Sequence, residues 1–296
     1  MAKRGSKGVK RQRARTRLTS AQTCLNINIP KEYIGKSFLK SSQAKSFILE
    51  NIESIAPAST RLVEPFAEAG EIFLKTNFPK YLINVTNPDL INLYRILQRK
   101  PDTFIQEARK LFTPMTNSPD AYYDLRTEFN SISDNFRKAV LFFYMNRHGY
   151  NGLIRYNQSS SFNVPFGKYK KPYFPENELY FFAQKAQKVT FTNLSYSELF
   201  SQLESGDTVF CNPPYVPLRK QTSITNYSNT GFGLDNHAEL SILAESATRD
   251  LNAKVIIVNH DTIWTRKVYE HAKSLRTTTV KSHNSNAKYL IAKYSN

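Results

Sequence analysis

Four short apolar runs recur along the chain: RLVEPF (61–66), YLINV (81–85), TVFCN (208–212) and KVIIVN (254–259). Each is bounded by polar residues or proline, as strands buried on both faces are. Helical spacing falls between them in AELSILAESATRDL (238–251), and ahead of the first in 45–55, where Phe47, Ile48, Ile52 and Ile55 repeat at helical intervals. Strands alternating with helices predict an α/β sheet. Residues 88–142 break the alternation with helical patterns such as PDLINLYRILQRK and NFRKAVLFFYM, which predicts an inserted helical domain. GYNGLIRYNQSSSFNVPFGKY (149–169) is rich in Gly, Asn, Ser and Tyr and reads as a hairpin or loop. Three parts follow: a basic extension over 1–38, an α/β domain over 39–87 and 176–296, and a helical domain with the hairpin over 88–175.

Composition fits a folded globule, with 40% apolar and 13% aromatic residues in 296. No apolar run approaches the roughly 20 residues that span a bilayer. The start, MAKRGSKGVKRQRARTRL, lacks the apolar stretch of a secretory signal. Two cysteines, Cys24 and Cys211, make neither a metal site nor a disulfide framework. A cytoplasmic protein, associated with the nucleoid, is expected.

Charge changes the picture more. The formal net charge is +17, and Lys3, Arg4, Lys7, Lys10, Arg11, Arg13, Arg15 and Arg17 supply eight positive charges with no acid among residues 1–17. Taking those 8 from +17 leaves +9 on the remainder. A polyanion such as DNA or RNA is the natural partner, bound in a salt-dependent way. A solubilising or targeting arm is the plainer alternative.

The motifs VEPFAEAG (63–70), NRHGYNGLIRYN (146–157), FNVPFGKYKKPYFPENELY (162–180), NPPY (212–215) and VNHDT (258–262) follow in that order. Together they make the chain resemble a Dam-type DNA adenine-N6 methyltransferase, the family that acts on GATC, over roughly 39–296. The resemblance implies a Rossmann-like methyltransferase sheet, an inserted helical recognition domain carrying a β-hairpin, and a flipped adenine. It places Asn212, Pro213, Pro214 and Tyr215 at the catalytic tetrapeptide. The first would accept a hydrogen bond from the adenine amino group, the prolines would fix the backbone, and the tyrosine would stack on the extruded base.

Positions matched to the cofactor pocket depart from the family. Glu68 stands where a glycine of F-x-G-x-G is usual, although Phe66 and Gly70 are kept. Val85 stands where an acid would bind the ribose hydroxyls. Two hydrogen bonds to a charged group at about 1.5–3 kcal/mol each would be lost there. In the loop before the first helix Lys40 and Lys45 match two lysines, but Ser41, Gln43 and Ala44 replace a tryptophan and two glycines. Glu68 paired with Lys45 could occupy the place of the cofactor's carboxylate.

The DNA-facing positions match. Lys40 and Arg155 correspond to guanine-reading residues, the latter suited to a bidentate contact. Leu153 and Pro165 correspond to thymine contacts, and Tyr150 and Asn151 to groups wedged beside the flipped base. Tyr169 lies in the same segment, and Lys168 replaces an arginine, keeping its charge but not its fork. The leading expectation is a sequence-specific duplex DNA-binding protein, binding GATC or a related site without methylating it and without S-adenosylmethionine. An active adenine-N6 methyltransferase using that donor is the competing expectation, and a non-specific nucleic-acid protein the third.

Overall fold

Strands β1 (Arg61–Glu64), β2 (Lys80–Asn84), β3 (Val189–Thr192), β4 (Thr208–Cys211), β5 (Lys254–His260), β6 (Ser274–Ser282) and β7 (Ser285–Tyr294) form one sheet in the order β3-β2-β1-β4-β5-β7-β6. The computed structural model describes residues 27–40, 59–216, 231–282 and 285–296. The helix expected over 45–55 lies outside them. The first five strands of that order are parallel, whereas β7 runs antiparallel between β5 and β6. Each of the four apolar runs supplies a strand, and all four residues of β4 are buried.

The side-chain period of two explains why these strands read as continuous apolar runs. Leu62, Phe210 and Ile256 face one core, while Val63, Val209, Cys211, Val255 and Ile257 face another. Helices cover both faces. Described in chain order they are α1 (Glu71–Lys75), α2 (Pro88–Arg99), α3 (Pro101–Arg109), α4 (Pro119–Ser131), α5 (Asn135–His148), α6 (Glu176–Ala186), α7 (Tyr196–Phe200), α8 (Leu234–Leu251) and α9 (Ile263–Val268). The first core is aromatic: the Phe182 ring of α6 meets those of Phe38, Phe73 and Tyr94 with centroids 5.0, 5.7 and 4.8 Å apart. Such edge-on and tilted contacts add to the burial itself. The second core is built from aliphatic strand residues against Leu199 of α7 and Leu240 and Ala244 of α8.

The helical insertion predicted from 88 onward is present as α2 to α5, and it shares the aromatic core through Leu93, Tyr94 and Phe143. α2 starts where its sequence says it should: Asn87 accepts from the N–H groups of Asp89 and Leu90 at 3.0 Å each, and Pro88 takes the first helical position. α5 is apolar around most of its circumference because neighbours enclose it, with residues 139–146 all buried. The hairpin differs from a regular one. Its limbs form no continuous ladder, but two isolated antiparallel bridges, Gly149 with Phe166 and Tyr156 with Phe162. Side-chain anchors replace the missing ladder: Asn130 of α4 bonds both Phe162 N–H (2.8 Å) and C=O (3.2 Å), and Tyr122 donates to the Val164 carbonyl at 3.0 Å.

Candidate active site

A cavity of about 360 Å³ opens at the carboxyl ends of β1, β2 and β4, bordered by Phe66–Ala69, Asn84–Asn87, Asn212 and Pro214 on the sheet side. Crevices outside the carboxyl ends of parallel strands are where open α/β sheets bind ligands, and this volume lies in the range of small-molecule sites. Leu39, Lys40, Asn146 and the turn 151–154 line it as well.

The turn after β1 is held by backbone bonds. Ala67 N–H donates to Asn84 C=O at 3.2 Å, Gly70 N–H to Ala67 C=O at 2.7 Å, and the Tyr94 hydroxyl to Glu68 C=O at 2.8 Å. Glu68 sits at φ +44° and Gly70 at φ +67°. The first is a strained place for a side chain, the second the usual reason for a glycine. Yet Glu68 is exposed, so its side chain borders the cavity without filling it.

Position 85 is apolar, and Val85 is 3% exposed. The next two residues, Thr86 and Asn87, restore polar groups to the same wall. Asp89 is not a substitute acid, because its carboxylate is taken by the Tyr156 hydroxyl at 2.6 Å and by Lys138 at 3.2 Å. Asn84 sets the end of β2. Its carboxamide donates to the carbonyls of Pro65 and Leu194 and accepts from Thr192 Oγ1 and Leu194 N–H, at 2.8–3.0 Å throughout. A fully satisfied buried amide of this kind fixes three strand ends together.

After β4, Asn212 and Pro213 are buried, Pro214 is exposed and Tyr215 half-buried. The Tyr215 hydroxyl donates to Asn212 Oδ1 at 2.7 Å, and burial raises its pKa. VNHDT fixes the far side of this turn: Asn259 Oδ1 accepts from the N–H groups of Val216 (2.9 Å) and His260 (2.8 Å), and His260 Nδ1 lies 2.8 Å from Val216 C=O. The Tyr215 ring packs on His260 and Tyr289, with centroids 4.8 and 5.7 Å away. Beneath the turn, buried His237 meets Tyr269 Oη at 2.7 Å.

Of the DNA-facing positions, Lys40, Asn151 and Leu153 border the cavity. The Lys40 ammonium lies 3.3 Å from the centre of the Tyr169 ring, and the Tyr169 hydroxyl accepts from Asn151 N–H at 2.9 Å. Tyr150, Leu153, Arg155, Pro165 and Lys168 are exposed along the loop. Arg155 is preset by Asn163, whose Oδ1 and backbone oxygen take Nε at 2.9 Å and a terminal nitrogen at 3.1 Å. Lys45 lies outside the described residues, and with it the expected pairing to Glu68.

A match to the D12 class N6 adenine-specific DNA methyltransferases spans residues 44–283. The chain belongs to that family. It is 45% identical over 238 residues to a DNA adenine methylase of Vibrio cholerae, covering 80% of this chain and 86% of that one. The corresponding protein of Escherichia coli K12 is 46% identical over 239 residues, 81% of this chain and 86% of its own. That of Serratia marcescens is 43% identical over 238 residues, 80% and 88% of the two chains.

This likeness corrects the expectation of a DNA reader that neither methylates nor uses S-adenosylmethionine. Identity of 45–46% to DNA adenine methylases, spread over most of the chain, favours a working enzyme and a used donor pocket. The physical reason is visible at the two suspect positions: Glu68 adopts the left-handed backbone a glycine would and stays exposed, and Thr86 and Asn87 follow Val85 in the cavity wall. Equating each substitution with a missing interaction presumes a rigid template around it. No role was assigned to Asn84 or Asn146, because a polar residue in or at the end of an apolar run carries no sign of its partners. Asn259 and His260 stood in a motif matched to the family, with no sign that they brace Val216. Among the described residues no helix is long and apolar enough to cross a membrane.

Proposed function

We propose that this chain transfers a methyl group from S-adenosylmethionine to the N6 amino group of adenine in duplex DNA, at GATC or a related site. The observation that carries the reading is the shared cavity, which Asn212 and Pro214 line together with the turn 151–154, with Glu68 and with Val85 and its two polar successors. Phe66–Ala69 and Val85–Asn87 would hold the donor, with Thr86 and Asn87 as polar partners. When bound, the donor supplies an electrophilic methyl group on a sulfonium centre, so the chain's task is chiefly alignment. Asn212 Oδ1 would accept from the adenine amino group. A carbonyl oxygen carries two lone pairs, so it can do this while retaining the Tyr215 hydroxyl, which holds it in place. The partly buried Tyr215 ring, backed by His260 and Tyr289, offers a face for the extruded base. Arg155 would read a guanine, Leu153 and Pro165 thymine methyl groups, and Tyr150 and Asn151 would fill the vacated stack. Lys40, Lys168 and Tyr169 would complete the DNA-facing surface. The enzyme would work on nucleoid DNA.

The full chain, labelled donor and two duplexes test this, one containing GATC and one with that site scrambled. Label is expected as N6-methyladenine in the first duplex only, and Asn212→Ala should abolish it while leaving duplex binding intact. No transfer at saturating donor would sink the proposal, and equal transfer to both duplexes would sink its site preference.

A further inference from the structure

Asn146 is 1% exposed on an otherwise apolar stretch of α5, and its carboxamide is committed wholly to backbone. Oδ1 accepts from Lys40 N–H at 2.8 Å, and Nδ2 donates to Lys40 C=O at 3.1 Å and to Gly152 C=O at 2.8 Å. One side chain thus joins the backbone at Lys40 to the turn that leads into the DNA-facing loop. The two segments touch there without slack: a Cβ on Gly152, at φ +66°, would stand 2.6 Å from both the Cβ and the carbonyl oxygen of Lys40. A second link closes the ring, through the Lys40 ammonium on Tyr169 and the Tyr169 hydroxyl on Asn151 N–H. Lys40, Asn146, Asn151 and Gly152 all border the cavity.

We propose that Asn146 is a positioning residue that couples donor binding to DNA reading. The inference rests on the function proposed above. When the loop seats on a duplex, any shift of 151–152 is passed through the buried amide to the backbone of Lys40, which walls the donor cavity. Coupling of this kind acts equally in both directions, and commonly changes affinity about 5- to 150-fold. Buried amides are suited to the task because breaking one bond leaves an orphaned polar group, so the junction moves as a unit.

The test measures S-adenosylmethionine affinity of the full chain alone, with a GATC duplex and with a scrambled duplex. In the wild type the GATC duplex is expected to tighten the donor several-fold more than the scrambled one. Asn146→Asp keeps the acceptor for Lys40 N–H but turns the donor toward two carbonyls into another acceptor. It should bring that ratio close to one, whatever it does to donor affinity without DNA, because the ratio compares two duplexes on the same variant. Gly152→Ala reaches the same junction from the other side and should do likewise, which decides the matter if the first variant does not fold. A folded variant that keeps the wild-type ratio overturns the inference, as does a wild type in which the two duplexes act alike. A wild type that couples the duplex to the donor yet transfers no methyl group would sink the proposed function and leave the inference standing.

Discussion

Glu68 shows how a substitution can keep a backbone while changing a side chain. Its φ of +44° is one that glycine adopts freely and other L-residues at a cost of about 1–2 kcal/mol. The bonds from Tyr94 to its carbonyl and from Gly70 to Ala67 keep the turn in that shape. Glu68→Gly should therefore raise stability by about 1 kcal/mol, part of the relief being offset by the freer unfolded chain. It should also tighten the donor, by removing a carboxylate from the cavity rim. Thermal melts and donor titration check both, and a variant that is less stable and binds more weakly would show that the glutamate has a positive role. The sequence made position 68 conspicuous because it broke a motif, but it could not report which way the side chain points. Asn84 and Asn146 were the converse case. Each is one polar letter in an apolar run, and its meaning lies in partners such as Leu194 or Lys40, 110 and 106 residues away.

At the scale of elements the strands were legible because burial on both faces leaves them uniformly apolar. The loop at 149–169 was legible only as irregular, since its shape comes from side chains of α4 and α5 and not from a strand ladder. Two helices carry buried histidines with a measurable consequence. His148 ends α5 stacked on Tyr144, and His237 lies on α8 under Tyr269 and Phe232. Burial pushes both down to about 4, against the hydrogen-bonding pull of the carbonyls of Tyr144 and Pro214 respectively. Both are thus neutral in the fold, whereas an unfolded histidine takes up a proton near pH 6.5. Between about pH 6.5 and 4 the unfolded state binds more protons, so stability falls as pH falls, by up to about 1.4 kcal/mol per pH unit for each group. Urea midpoints should drop clearly from pH 7 to pH 5, and flatten over that range in the double variant His148→Gln, His237→Gln. Acidic side chains act lower: Glu128, held down by its hydrogen bond from Arg137, loses its contribution only as pH falls below the ordinary carboxylate range. A midpoint constant from pH 7 to pH 5 would contradict the burial of these two rings.

For the whole molecule, charge and sequence reading separate. The family match begins at residue 44, so the eight positive charges of residues 1–17 lie outside the segment shared with the family. Lys40 apart, the groups proposed to read bases sit on the loop 149–169, anchored by α4 and α5. The arm's charges can meet any phosphate, whereas Arg155 and Leu153 can satisfy only particular base edges. Removing residues 2–17 should then weaken binding to GATC and scrambled duplexes by the same factor. The slope of log affinity against log salt should become shallower by about 0.9 for each phosphate the arm no longer neutralises. The ratio between the two duplexes should stay where it was. Fluorescence anisotropy across a salt series reads slope and ratio together. An unchanged slope would mean that the arm serves something other than DNA, and a fallen ratio would place part of the site discrimination in the arm itself.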